Sequence, residues 1–362
     1  MPITPASASP CRLSEIARNL DGISYFRIVW FDYVSIAAVA ASALWVYSLP
    51  MYYLDHRLIP IQFYTSGDAT QDSAPKIRGP IELSYPFLKE PLPTWACGVV
   101  VVFVPMLFIT MFQLKMRSIW DFHAGITGIL KTSAASTFIA TVLKHFIGGF
   151  RPHFLEVCRP DPKKLFGQVW MNSSACTANT HAVNRALQGF PSGHTTSAFA
   201  SSIFLSLYLN AKLKAFGDHA SEFWVFTVTI IPLLLASLIA GSMYISYQHH
   251  AHEIVIGMLI GLILGVLGYR SAYAAIFDSR YNHIPLPPFG ARLRLKNIAN
   301  LSNIEARGQA AEALRPVMWN WWMQSETMNQ DQETRISWLR NMDCLEGVGQ
   351  DMNLLVRLRK QN

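Results

Sequence analysis

The chain has 362 residues, of which 51% are hydrophobic and only 15% charged, and its net charge is +7. Soluble domains carry about 25% charged residues, so a water-soluble fold would have to hide more apolar surface than it can bury, and composition points to a membrane protein. The positive balance then reads as topology and attraction to anionic headgroups, and no nucleic-acid partner is expected.

Residues 1–27 are polar and mixed, with Arg12, Arg18 and Arg27, and read as a cytosolic segment. No basic-then-apolar leader with a cleavage site opens the chain, so the first span is expected to act as an uncleaved insertion signal. Six apolar stretches follow, at residues 28–49, 95–114, 126–146, 195–209, 223–242 and 253–273. Most approach the ~20 residues a spanning helix needs, and the fourth must recruit its flanks. The prediction is an all-α polytopic membrane protein with six transmembrane helices in a unit over residues 28–282. Lys115 and Arg117, then Lys212 and Lys214, then Arg270 and Arg280 lie at span ends on the side of the termini, which makes that side cytosolic.

Two long loops, residues 51–94 and 148–190, fall on the opposite side. The second is basic, which argues the other way, but it is long and its Arg151 has a chemical use. It carries Cys158 and Cys176, which either pair in an oxidising compartment or stay as two loop thiols. It also holds Asn172-Ser-Ser174, a glycosylation acceptor sequence. Residues 283–362 form a polar tail with Leu286-Pro-Pro-Phe-Gly290 at its start. Its Trp319, Trp321 and Trp322 suit a membrane surface, or else the tail is a partly disordered regulatory segment. No zinc-type Cys/His spacing and no CxxC pair occurs, so no metal is expected.

Three motifs sit at the ends of apolar segments. Lys144 and Arg151, seven residues apart at the end of the third span, fall on nearly one helix face, two turns apart. A planar guanidinium and a point charge converging near Gly148, Gly149 and Pro152 suit a phosphate, though either cation alone would read as a residue snorkelling to the interface. Pro191-Ser-Gly-His194 leads into the fourth span, where unpaired N–H groups at a helix start bind anions. Ser192 adds a hydroxyl, or simply caps the helix; Gly193 allows close approach; His194 carries a proton near neutral pH. His249 and Glu253 share a face as i and i+4, and a carboxylate on one ring nitrogen leaves the other as a nucleophile. His250 and His252 lack that spacing.

Lys144-x6-Arg151-Pro152, Pro191-Ser-Gly-His194 and the stretch Ser242 to Glu253 resemble the signature of the type 2 phosphatidic acid phosphatase (PAP2) superfamily. That signature reads Lys-x6-Arg-Pro, Pro-Ser-Gly-His, Ser-Arg-x5-His-x3-Asp. The resemblance spans about residues 117–269 and is strongest for eukaryotic lipid phosphate phosphatases. Phe150 to Cys158 and Phe190 to Ala200 are similar to fungal members, diacylglycerol pyrophosphate phosphatases included. Leu83 to Pro93 is similar to the matching loop of fungal and animal members.

The resemblance implies a PAP2/haloperoxidase-like helical core and a membrane phosphatase acting on lipid phosphates such as phosphatidate, lysophosphatidate or diacylglycerol diphosphate. It implies that His249 attacks phosphorus to form a phosphohistidine, that Glu253 orients it, and that His194 protonates the leaving group and then helps activate water. Lys144, Arg151, Ser192 and Gly193 would hold the phosphoryl oxygens, with no metal or other cofactor. The site would face the lumen of an endomembrane compartment or the cell exterior; a homo-oligomer is left open. The motif arginine falls on Met243 and the motif aspartate on Glu253. A replacement cation would come from Arg159, Lys163, Lys164 or Arg185. Two alternatives stand beside this reading: an isoprenoid diphosphate phosphatase, or a relative that binds lipid phosphate without turnover.

Overall fold

A computed structural model describes residues 22–49, 57–64, 76–116, 118–217 and 219–286. Arg12, Arg18, Arg117 and the tail tryptophans Trp319, Trp321 and Trp322 lie outside the described residues. The chain divides into two units. One comprises Met1–Phe31 and Pro287–Asn362, of which only the start of the first helix is described; the other, Asp32–Leu286, carries everything below.

In chain order the elements are α1 (Gly22–Ser48), β1 (Ile59–Pro60), β2 (Gln62–Tyr64), β3 (Lys76–Arg78), α2 (Thr94–Met116), α3 (Ile119–Phe146), α4 (Phe154–Cys158), α5 (Pro162–Leu165), β4 (Trp170–Met171), α6 (Thr180–Ala186), α7 (Gly193–Leu213), α8 (Phe223–Ile245) and α9 (Ala251–Ala272). The architecture is helical, with only two two-stranded antiparallel pairings, β1 with β4 and β2 with β3.

Among the described residues, five helices are long and apolar enough to cross a membrane: Val29–Ser48 of α1, then α2, α3, α8 and α9. The fourth predicted span, α7, does recruit its flanks and reaches 21 residues, yet it is not among the five. Position explains its polarity. It packs against α2, α3, α8 and α9, so its Thr195, Thr196, Ser201 and Asn210 are buried in protein. Polar side chains at such depth are tolerated where partners satisfy them. Thr196 Oγ1 donates to the Ser192 carbonyl at 2.9 Å, and Asn210 Oδ1 accepts from Phe216 N at 2.9 Å.

At the end of the bundle away from the motifs, Lys212 Nζ lies 2.8 Å from Asp121 Oδ1, with 2% and 4% of the two side chains exposed. Tyr273 Oη donates to the same carboxylate at 3.1 Å, and Gln113 also donates to it. Lys214 Nζ donates to Asn282 Oδ1 and meets His283 Nδ1, both at 2.9 Å. Two of the lysines read as topological markers are thus also structural ties, Lys212 between α7 and α3 and Lys214 between the end of α7 and the chain after α9. At the other end, the loop before α2 and the chain between α3 and α7 fold together into a cap. Its core gathers Ile59, Ile61, Phe154, Leu165, Met171 and Val183, and a disulfide joins Cys158 to Cys176.

Candidate active site

The site lies where the cap meets α3, α7 and α9. Helix α3 ends at Phe146, and Gly148 follows with φ of 56°, the left-handed conformation that favours glycine at a helix end. Arg151 therefore lies beyond the helix, and the shared-face argument for Lys144 and Arg151 does not hold. They converge for another reason. Past Gly148 the chain runs beside residues 186–189: Gly149 N donates to Leu187 O at 2.8 Å, Arg151 N to Ala186 O at 2.9 Å, and Gly189 N to Gly149 O at 2.9 Å. This ladder ties the first motif to the approach of the second.

Lys144 Nζ donates to the Gln188 carbonyl at 3.0 Å. A Cβ on Gly193 would meet Lys144 Cε at 3.2 Å, so the glycine lets the lysine lie against the start of α7. Ser192 is the N-cap of α7, its Oγ accepting from Thr195 N at 3.4 Å and from Thr195 Oγ1 at 2.9 Å. Capping uses its lone pairs and leaves its proton to donate. A lysine against a helix N-terminus brings two positive ends together, an arrangement that suits a bound anion.

His249 also sits differently from its expected place. Helix α9 begins at Ala251 with His250 as N-cap, so His249 precedes the helix. Glu253, at the third helical position, reaches back: its Oε2 accepts from His249 Nδ1 and from His250 N, both at 3.0 Å. The pairing is a helix-capping contact. The carboxylate lies between two glycine backbones; a Cβ on Gly149 would come within 3.1 Å of Glu253 Oε1, and one on Gly189 within 2.3 Å. His249 is 2% exposed. Burial holds its pKa well below the ordinary imidazole value, and the charges of Lys144, Arg151 and His194 press it lower, against a backbone hydrogen bond with Gly189. The ring is neutral at neutral pH, with Nδ1 held by Glu253.

Arg151 Nη1 donates to Gln248 Oε1 at 2.8 Å and to Glu90 Oε1 at 3.3 Å. Its Nε is buried and has no hydrogen-bond partner among the described residues. Burial lowers the pKa of this guanidinium, and Glu90 pulls it back up. His194 Nε2 contacts the Leu92 carbonyl at 3.0 Å, and Gln248 Nε2 donates to the Leu88 carbonyl at 2.6 Å. His153, 2% exposed, places Nδ1 2.9 Å from the Tyr247 carbonyl and so joins the first motif to the turn before His249. Burial lowers its pKa as well. Glu90, Gln248 and His153 are the residues that motif reading missed. The one signal for Glu90 was the family-like stretch Leu83 to Pro93.

Met243 is fully buried near the end of α8, and its carbonyl accepts from Gln248 N at 3.0 Å. Of the candidate replacement cations, Arg185 approaches the site, with Nη2 3.8 Å from Glu90 Oε1. Arg159 lines a separate cavity with Arg78 and Glu156, and Lys163 and Lys164 are exposed on α5. His250 and His252 stack on each other with centroids 5.5 Å apart. Asn172 Oδ1 accepts from Ser174 N at 3.3 Å at the start of a single 3-10 turn.

Fold and site define a polytopic helical membrane protein with a buried cluster of cationic and histidine side chains at one end of its bundle. The PAP2 superfamily pattern matches residues 125–277. A probable diacylglycerol pyrophosphate phosphatase 1 of Schizosaccharomyces pombe is 31% identical over 195 residues, 53% of this chain and 70% of that protein. Lipid phosphate phosphatase 1 of Arabidopsis thaliana is 34% identical over 194 residues, 53% of this chain and 58% of that one. A PA-phosphatase related-family protein of Dictyostelium discoideum is 33% identical over 213 residues, 56% and 63% of the two chains. The chain belongs to the PAP2 superfamily. It spans about three fifths of the length of the last two relatives. No solved structure matches it.

Proposed function

We propose that the chain is a membrane phosphatase that releases phosphate from lipid phosphates through a histidine intermediate. The observation that carries this is His249, neutral and buried, its Nδ1 fixed by Glu253 while Lys144, Arg151 and His194 act on it together. With Nδ1–H engaged, the Nε2 lone pair attacks phosphorus and forms the N–P bond. The P–O bond to the lipid breaks, and His194 gives its proton to the departing oxygen. In the second step His194 takes a proton from water, which attacks phosphorus, breaks the N–P bond and frees inorganic phosphate. Lys144, Arg151, the Ser192 hydroxyl and the first N–H groups of α7 face the charge that builds on the phosphoryl oxygens.

Relatives named as lipid phosphate and diacylglycerol pyrophosphate phosphatases support glycerolipid phosphates as substrates; isoprenoid diphosphates are the second class to try. The disulfide and the Asn172 sequon support a cap that faces a lumen or the cell exterior. An endoglycosidase shift abolished by Asn172→Gln is expected; labelling of Asn172→Cys by a cytosolic reagent would reverse the orientation.

The deciding assay is phosphate release from a panel of lipid phosphates by purified protein in EDTA, with acid-quench trapping of phosphohistidine. Release is expected in EDTA, with loss of the phosphohistidine and at least a thousandfold lower rate in His249→Ala, the scale on which removing a catalytic nucleophile acts. Met243 favours one other reading, since it removes a charged ligand that contributes roughly 1.5–3 kcal/mol. Lipid phosphate binding with no phosphohistidine and no release would establish that reading in place of the first.

A further inference from the structure

One short segment of the cap reaches all three motifs. Leu88 gives its carbonyl to Gln248, Glu90 its carboxylate to Arg151, and Leu92 its carbonyl to His194. Glu90 is the anomaly among them, a carboxylate 16% exposed on the guanidinium best placed for phosphate. Its charge also acts on Lys144 and His194. A phosphoryl group entering beside a fixed carboxylate would be repelled by it.

The distances show how the conflict resolves. Gln248 holds Arg151 at 2.8 Å, whereas Glu90 stands at 3.3 Å, longer than the ~2.7–2.9 Å of a well-made charged pair. The same oxygen, Glu90 Oε1, also has Arg185 Nη2 at 3.8 Å, with 52% of that side chain exposed. The carboxylate lies between a buried guanidinium and a wet one. Without substrate, Arg151 needs a counter-charge, because an uncompensated buried ion is costly.

We propose that Glu90 is a resident anion that holds the place of a phosphoryl group on Arg151 and yields it to substrate by transferring to Arg185. The proposal rests on the reading that Arg151 binds phosphate. It makes Glu90 and Arg185 the residues that set phosphate affinity, with Arg185 acting through Glu90.

A carboxylate that merely orients Arg151 predicts the opposite sign. Calorimetric titration of the purified full-length protein with inorganic phosphate separates the two. Glu90→Gln is expected to bind phosphate about tenfold more tightly, the worth of one competing charged hydrogen bond. Arg185→Gln is expected to weaken binding in the native background and to change nothing when Glu90 is already Gln. Equal or weaker binding by Glu90→Gln, where the native protein binds, overturns the proposal and leaves the phosphatase reading standing. An equal loss from Arg185→Gln in both backgrounds also overturns it, making Arg185 a direct ligand. No phosphate binding by either protein overturns proposal and site together. If Glu90→Gln shows no cooperative melting transition, Glu90→Ala takes its place in the same pair of backgrounds with the same expected and overturning outcomes, and unchanged binding by Arg185→Gln in the native background refutes the transfer.

Discussion

At the scale of single residues, the candidate nucleophile depends on a carboxylate with almost no room to move. Glu253 Oε2 serves His249 and His250, and Gly149 and Gly189 confine its other oxygen. Glu253→Gln keeps the shape and loses the charge, so kcat should fall about ten- to hundredfold with KM little changed, the worth of one charged hydrogen bond. Gly189→Ala should do similar harm without touching a charge, since its Cβ would fall 2.3 Å from Glu253 Oε1. Native kcat in Gly189→Ala would show that the carboxylate does not orient His249. Charge, hydroxyl and glycine at fixed spacing made this much of the site legible in the sequence. The spacing arguments were less sound than the residues they chose. Lys144 and Arg151 meet through a backbone ladder, and His249 and Glu253 through a cap. Glu90, Gln248 and His153 escaped notice because long-range packing creates their roles. Glu90 lies 61 residues from the arginine it touches, and no local pattern encodes that.

Among the elements, the pairing of α7 with α9 carries His194 and His249 to the same place. It is close because α9 turns glycines toward α7. A Cβ on Gly257 would lie 2.8 Å from the Ser192 carbonyl, on Gly261 2.6 Å from the Thr196 carbonyl, and on Gly265 2.6 Å from the Ala200 carbonyl. Backbone atoms cannot move aside as a side-chain tip can, so Gly261→Leu must push the helices apart. Overpacking of this kind typically costs about 1–3 kcal/mol. Gly261→Leu should lower the melting temperature in detergent and cut activity at least tenfold, whereas Gly241→Leu, with nothing within 4 Å of its Cβ, should do neither. Equal effects at the two positions would remove the argument. The same packing explains why α7, expected as the fourth span, lacks the hydropathy of the five. Hydropathy reports contact with lipid, and α7 is enclosed by four other helices. The five helices with lipid-type composition were plain in the sequence.

At the largest scale, the unit Asp32–Leu286 is held at both ends of its helical bundle by buried polar contacts, and these carry a pH dependence. Beyond α9 the chain folds back, Ala274 N donating to Ile284 O at 2.9 Å and Leu286 N to Ala272 O at 2.8 Å. This places His283 against Lys214. Burial, with Lys214 and then Lys212 adding to it, lowers the pKa of His283 from 6.5 to about 4. His153 and His249, at the cap end, are displaced in the same direction. The sign follows from proton counting. Between pH 6.5 and about 4 the unfolded chain binds a proton at His283 that the folded chain refuses, so stability rises with pH across that window. The contribution is fully present above pH 6.5 and lost as pH falls toward 4, at most roughly 3–4 kcal/mol for this one group. Melting temperatures taken from pH 7.5 to 4.5 should therefore decline for the native protein and decline less for His283→Asn, which can still accept from Lys214. Parallel curves for the two proteins would mean that His283 titrates as if in water and that Lys214 is held by its other partners alone. Phosphate sharpens the comparison: if it binds at the proposed site, it should raise the melting temperature of both proteins equally, because that site is at one end of the bundle and His283 at the other.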